Sequence, residues 1–220
     1  VSTVYDCSRP DSRAAGLTAA KGALKAGRLV VVPTDTVYGI AADAFDSDAV
    51  TGLLRAKGRG RDMPVPVLVG SWNTIDGLVN TVRPQARELI RAFWPGGLSL
   101  VVHQAPSLAW DLGDTRGTVM LRMPLHPVVL ELLREVGPLA VSSANVSGRP
   151  PATTVDDART QLGGSASVYL DGGPAEHAVA STIVDLTADR PRVLREGAVA
   201  VEDIAEVLGE DPAQLRAGGE

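Results

Sequence analysis

The sequence predicts a single α/β domain built on a mixed sheet. Three observations carry that prediction. Short apolar runs alternate with helical patterns from one end of the chain to the other. The connections between them are uneven in length, which suits a sheet of mixed strand direction. No repeat, low-complexity block or linker splits the 220 residues, a length that by itself fits one large domain or two small ones.

Taken in order, residues 11–26 read as a helix, with Asp11 or Ser12 as cap and Gly27 as its C-terminal glycine. Arg28 to Pro33 is a short apolar strand of the kind buried on both faces. Asp46-Ser47-Asp48 is a capping cluster for a helix through about Ala56, stopped by Gly58. Val65–Val69 is a second buried strand. Helical patterns follow at 72–79 and at 84–94, the latter opening on Pro84. Strands are expected at Leu98–Val102 and Thr118–Met123, then a helix at His126–Val136 and a strand at Leu139–Ser142. Val155–Leu162 reads as helix, and Ser167–Leu170, Ser181–Leu186 and Arg192–Leu194 as strands, before a last helix at Val201–Leu208. The tail from Glu210 lacks a core pattern and is expected to fray. Ala105–Gly117 and the segment around Gly172–Ala180 are long and patternless, hence candidate mobile covers.

Composition narrows the function. Aromatics are only 4%, so Ala, Val and Leu must build the core. The single cysteine, Cys7, excludes an internal disulfide and a cysteine-based zinc site. No apolar run is long enough to span a membrane and no signal pattern opens the chain, so a cytoplasmic location is expected. A net charge of −5 argues against a dedicated nucleic-acid binder, yet residues 55–62 hold four cations against the single acid Asp62.

Several familiar sites are absent. There is no GxxxxGK[ST] phosphate loop and no GxSxG elbow. Gly58-Arg59-Gly60 starts like a dinucleotide fingerprint, but Met63 stands where its third glycine belongs. The histidines His103, His126 and His177 have no metal-ligand spacing. What remains is a set of hydroxyls, amides and cations at strand ends, where ligands collect in α/β sheets. Thr34, Asp35 and Thr36 follow one strand; Thr118 opens another that contains Arg122; Ser142, Ser143 and Asn145 follow a third. Arg122 lies in an apolar strand and needs a partner: a substrate carboxylate, or an internal Asp or Glu. LRAKGRGRDMP is either a solvated basic face or a polyanion site whose glycines admit close approach. SSANVSGRPP is either a polar turn or a ligand loop.

Together, PTDTVYGI, KGR, TVMLRMPLHP, SSANVSGRPP, STIVDL and VLREG, in this order, resemble the threonylcarbamoyl-AMP synthase family with its YrdC-like domain, over about Ala23 to Gly197. The resemblance implies one domain with a twisted, open sheet around a cationic cavity; residues 1–209 are expected to form it, and 210–220 a flexible tail. It implies that L-threonine, bicarbonate or CO2, and ATP with Mg²⁺ give threonylcarbamoyl-adenylate and pyrophosphate. A partner tRNA threonylcarbamoyl transferase system would then modify adenosine 37 of tRNA. The family's tetrad falls on Lys57, Arg59, Ser143 and Asn145. Thr36, Arg122, Ser143 and Ser181 match threonine-side positions, and Lys57, Arg59, Met63, Thr118, Asn145, Thr153 and Arg195 nucleotide-side positions. Two departures stand out: Met63 and Leu68 occupy places where relatives often carry Asn and His. The chain resembles the short form without a second domain. Two other readings compete, carbamoyl-adenylate chemistry in another pathway and a non-catalytic tRNA- or RNA-binding module. Few aromatics and a negative net charge count against the latter.

Overall fold

The computed structural model describes residues 2–176 and 178–216. His177 and residues 217–220 therefore lie outside the described residues. The chain opens with β1 (Thr3–Asp6), an edge strand too short to show a sequence period and formed by parallel pairing with β8. Helix α1 (Pro10–Lys25) starts on its proline, and no side chain caps it. The expectation of Asp11 or Ser12 as cap is corrected: proline has no N–H to satisfy at that position.

Strand β2 (Val30–Val32) leads through the polar turn into β3 (Gly39–Asp43), which the sequence pattern missed. Gly-Ile-Ala-Ala-Asp has little β propensity of its own, and pairing to β2 on one side and β7 on the other holds it extended. Helix α2 (Ser47–Lys57) is capped by the Asp46 carboxylate, which accepts from the amides of Asp48 (3.1 Å) and Ala49 (2.9 Å). It ends on Gly58 at φ +65°, a left-handed position that glycine adopts without strain. Then come β4 (Val67–Leu68), a 3₁₀ turn at Trp72–Thr74, α3 (Ile75–Leu78), α4 (Pro84–Phe93), β5 (Leu98–His103) and β6 (Thr118–Arg122). After them come α5 (Pro127–Val136), β7 (Leu139–Ser143), α6 (Val155–Leu162), β8 (Val168–Asp171), β9 (Thr182–Asp185), β10 (Arg192–Arg195) and α7 (Val201–Leu208).

Part of the expected tail is helical. Residues Pro212–Arg216 form α8, with Leu215 only 2% exposed and Arg216 bonded to Glu202 at 2.7 Å. One buried leucine is enough to dock five residues, and too little to make a visible period. The connection at Ala105–Gly117 is also no free cover. Trp110 and Leu112 are buried, and the Trp110 indole N–H donates to Gln104 Oε1 at 3.1 Å.

All ten strands of the described residues join one mixed sheet in the order β1-β8-β2-β3-β7-β4-β6-β5-β9-β10. Alternation along the strands sorts side chains to two faces. Val31, Ile40, Val67, Leu100, Leu121 and Val184 enter the larger core, which α2, α4, α6 and α7 cover. On the opposite face Val30, Ala41, Leu68 and Val141 belong to a second core, with α1 and α5 over it. Those helices do not reach the far half of that face. There Ser99, Met120, Arg122 and Ile183 line a cavity instead of a core.

Candidate active site

The cavity has a volume of about 500 Å³, within the range of small-molecule sites. Its floor is the uncovered half of the sheet. Its walls are the Thr34–Gly39 turn, the Arg59–Pro64 flap beyond α2, Ser142 and Ser143 at the end of β7, and Ala180, Ser181 and Arg195.

One end of the cavity is polar and rigid. Arg122 projects from β6, 7% exposed, and is fixed by three bonds. Its Nε donates to the Gly96 carbonyl (2.8 Å), Nη1 to Thr36 Oγ1 (2.8 Å) and Nη2 to Asp35 Oδ1 (2.6 Å). Asp35 also accepts from the Leu125 amide at 2.9 Å. Thr34 Oγ1 donates to the Val37 carbonyl at 2.6 Å and lies 3.1 Å from Thr36 Oγ1, so the turn is locked from within. Burial pulls the Arg122 guanidinium below its ordinary pKa, and the Asp35 carboxylate beside it pulls it back. Of the two readings of Arg122, the internal acid is the one this geometry shows. The residue also lines the cavity, and two of its five N–H groups lie outside those three bonds. Next to it Ser99 and Ser181 share a hydrogen bond of 2.9 Å, and Arg195 donates to the Ser181 carbonyl at 2.7 Å and its hydroxyl at 3.2 Å.

The other end is cationic and incompletely paired. Arg59 makes one long bond, Nη1 to Ser142 Oγ at 3.4 Å, and its buried Nε has no partner. Among the described residues Arg59 forms no ion pair, and neither does Arg195 beside Ser181 at the first end. Burial lowers the pKa of both guanidiniums, an unfavourable term that an anion in the cavity would reverse.

Lys57 is placed differently from the expectation of a side chain facing a ligand. As the last residue of α2 it is fully buried beneath the loop after β7. Its Nζ donates to the carbonyls of Ser143 and Asn145 (2.8 Å for the latter), with Ser143 Oγ and Asn145 Oδ1 both at 3.4 Å. Burial, and then the neighbouring charge of Arg59, bring its pKa down to about 7. Asn145, 4% exposed, donates its amide hydrogens to the carbonyls of Val146 (3.0 Å) and Arg149 (2.8 Å). Lys57 and Asn145 thus shape the Ser143 wall from behind, and only Arg59 and Ser143 of the tetrad line the cavity.

The fold and this geometry have counterparts. The family model Sua5/YciO/YrdC, described as "Telomere recombination", matches residues 22–197. This chain belongs to that family. Among Sua5/YciO/YrdC relatives, a protein of Mycobacterium tuberculosis H37Rv is 69% identical over 96% of this chain and 97% of its own. The threonylcarbamoyl-AMP synthase of Pyrococcus abyssi is 36% identical over 87% of this chain, which spans 56% of that protein's length. A crystal structure of Pyrococcus abyssi Sua5 complexed with L-threonine superposes with a TM-score of 0.85 at 35% identity, covering 88% of this chain and 57% of that one.

Of the positions matched to the Sua5/YciO/YrdC pattern, Thr36, Arg59, Met63, Arg122, Ser143, Ser181 and Arg195 converge on the cavity. Thr118 and Thr153 are not among its lining residues. The Thr118 hydroxyl donates to the Thr115 carbonyl at 2.7 Å, and Thr153 donates to Asp157 at 3.3 Å. Of the two departures from that family pattern, Leu68 lies in the cavity floor and Met63 at its mouth, 45% exposed. Ser99 was missed. The signal was available: in LSLVV a lone serine alternates with buried Leu98 and Leu100, so it faces the other side of the sheet from them.

Proposed function

We propose that this chain is a threonylcarbamoyl-AMP synthase, a nucleotidyltransferase that joins L-threonine, bicarbonate or CO2, and ATP to give threonylcarbamoyl-adenylate and pyrophosphate. The observation that carries this is the pairing state of the cavity's arginines. Arg122 is preset beside hydroxyls, while Arg59 and Arg195 lack acids and Arg59 keeps a buried N–H without a partner. A partly desolvated guanidinium with a buried N–H left unpaired is costly, and phosphate oxygens relieve that cost with the geometry a guanidinium prefers.

On this reading the threonine carboxylate lies against Arg122, with Thr36, Ser99, Ser143 and Ser181 as hydroxyl partners. Arg59 and Arg195 hold the nucleotide phosphates. The threonine amine and bicarbonate give a carbamate and water; a carbamate oxygen then attacks the α-phosphorus and pyrophosphate leaves. None of these steps needs a protein nucleophile. The protein's work is to bring two anions together and neutralise the charge between them. Lys57 acts through the wall it supports, by fixing the Ser143 and Asn145 carbonyls. Among the described residues no group of three or more His, Cys, Asp or Glu side chains is placed to hold a metal, and Asp62 is the one carboxylate on the cavity wall. That donor set suits Mg²⁺ arriving on ATP and held mainly by phosphate and water. When bound, the ion supplies charge neutralisation at the phosphates.

The adenylate is a reactive product whose consumer is a tRNA threonylcarbamoyl transferase system. No helix of the described residues is long and apolar enough to cross a membrane. The deciding experiment incubates the protein with ATP, Mg²⁺ and bicarbonate, with and without L-threonine, and follows pyrophosphate. Threonine-dependent release is expected. Dependence on carbamoyl phosphate instead, or no turnover alongside tight tRNA binding, would overturn the reading.

A further inference from the structure

The flap that carries Arg59 is held to the rest of the molecule by a second set of contacts, on the side away from the cavity. Arg61 makes a bidentate pair with Asp111, Nη1 to Oδ2 at 3.0 Å and Nη2 to Oδ1 at 2.7 Å. Its Nε lies 3.4 Å from Asp114 Oδ1. The backbone joins in: the Asp114 amide donates to the Arg61 carbonyl at 2.8 Å, and the Val65 amide to the Leu112 carbonyl at 2.9 Å. Gly113 sits at φ +102°, and a Cβ there would come within 2.8 Å of the Arg61 carbonyl oxygen. The platform itself is firm, since Trp110 and Leu112 are buried and Phe45 stacks on Trp110 with ring centroids 5.5 Å apart.

We infer that Arg61, through Asp111 and Asp114, is a positioning residue that sets the nucleotide end of the site by holding Arg59 over the cavity. This rests on the synthase reading for what Arg59 binds. The flap begins at Gly58 and contains Gly60, so its backbone has little stiffness of its own. At one end α2 anchors it, the Arg59 amide donating to the Leu54 carbonyl at 2.9 Å; at the other the contacts to Asp111–Asp114 hold it over the cavity. Arg122 and Thr36, on β6 and the turn before β3, share none of these anchors. The clamp therefore acts on one substrate and not on the other.

The test measures affinities for Mg·ATP and for L-threonine by calorimetry on the whole chain, together with KM and kcat from pyrophosphate release. An exposed bidentate pair contributes a factor of a few in an equilibrium, so Arg61→Ala should weaken ATP binding about five-fold and leave threonine affinity unchanged. Asp111→Arg should do the same, and Arg61→Asp combined with Asp111→Arg should restore ATP affinity to within about two-fold of wild type by re-forming the pair. Unchanged ATP affinity in Arg61→Ala would overturn the inference. So would equal weakening of both substrates without rescue by the exchanged pair, which is the mark of general destabilisation. Absence of threonine-dependent turnover in the wild type counts against the synthase reading alone, because the clamp is read from ATP affinity.

Discussion

Asp35 offers the sharpest test of how the site is built. Its carboxylate and the Arg122 guanidinium have side chains only 5% and 8% exposed, 2.6 Å apart. Asp35→Ala leaves a buried guanidinium with a carbonyl and a hydroxyl as its remaining acceptors, and orphans the Leu125 amide. Breaking a buried pair from one side costs about 3–5 kcal/mol. Asp35→Asn keeps an oxygen at nearly the same place but not the charge, so its cost should be about 1.5–3 kcal/mol, that of a hydrogen bond to a charged group. For a chain of this size these losses correspond to about 6–20 °C for the alanine variant and correspondingly less for the asparagine. Urea unfolding followed by fluorescence and circular dichroism would measure both, with unchanged m values as the check that the unfolded state is the same. A companion variant, Asp35→Leu with Arg122→Leu, should be less destabilised than Asp35→Ala, because it removes the charge that would otherwise be stranded. If Asp35→Ala stays within about 0.5 kcal/mol of wild type, the pair is not what holds the turn to the sheet, and the account of Arg122 as a preset carboxylate reader fails.

Other outcomes follow from the same geometry. Arg59→Ala should lower adenylate formation by about 10²-fold, the loss of one preorganised charge stabiliser, and near wild-type pyrophosphate release would refute its role. Lys57→Ala should match that loss through collapse of the Ser143–Asn145 wall, visible as a change in that loop's amide-exchange protection; unchanged exchange would refute the mechanism. Lys57 carries its charge below about pH 7 and loses it as the pH rises through that value, and with it the ammonium grip on the two carbonyls. The kcat/KM for ATP, which reports the free protein, should therefore fall on the alkaline side; a flat profile from about pH 6 to 9 would refute it. Arg122→Lys keeps a charge for Asp35 but not the planar fork. It should weaken threonine binding in calorimetry while leaving ATP affinity as it was, and equal effects on both would refute the assignment.

Much of the fold is legible in the sequence because the cues are local. The Asp46 cap, the Gly58 stop and the valines of β2 act within a few residues of themselves. β1, β3 and α8 were not legible, since each is held by partners distant in the chain: β8, then β2 with β7, then a pocket for one leucine. The site divides along the same line. The sequence alone brought out Thr36, Arg122 and Ser143 as residue types gathered at strand ends and Arg59 in a cation cluster after a helix, and its motifs established the family resemblance. Only the tertiary structure decided that Lys57 points beneath the wall instead of into the cavity, that Thr118 and Thr153 do not line it, and that Arg122 already has Asp35. A sequence records which groups are available. Which of them faces a ligand depends on which neutralise one another first, and that is settled by contacts between segments some 90 residues apart, as Arg122 and Asp35 are (|i−j| = 87).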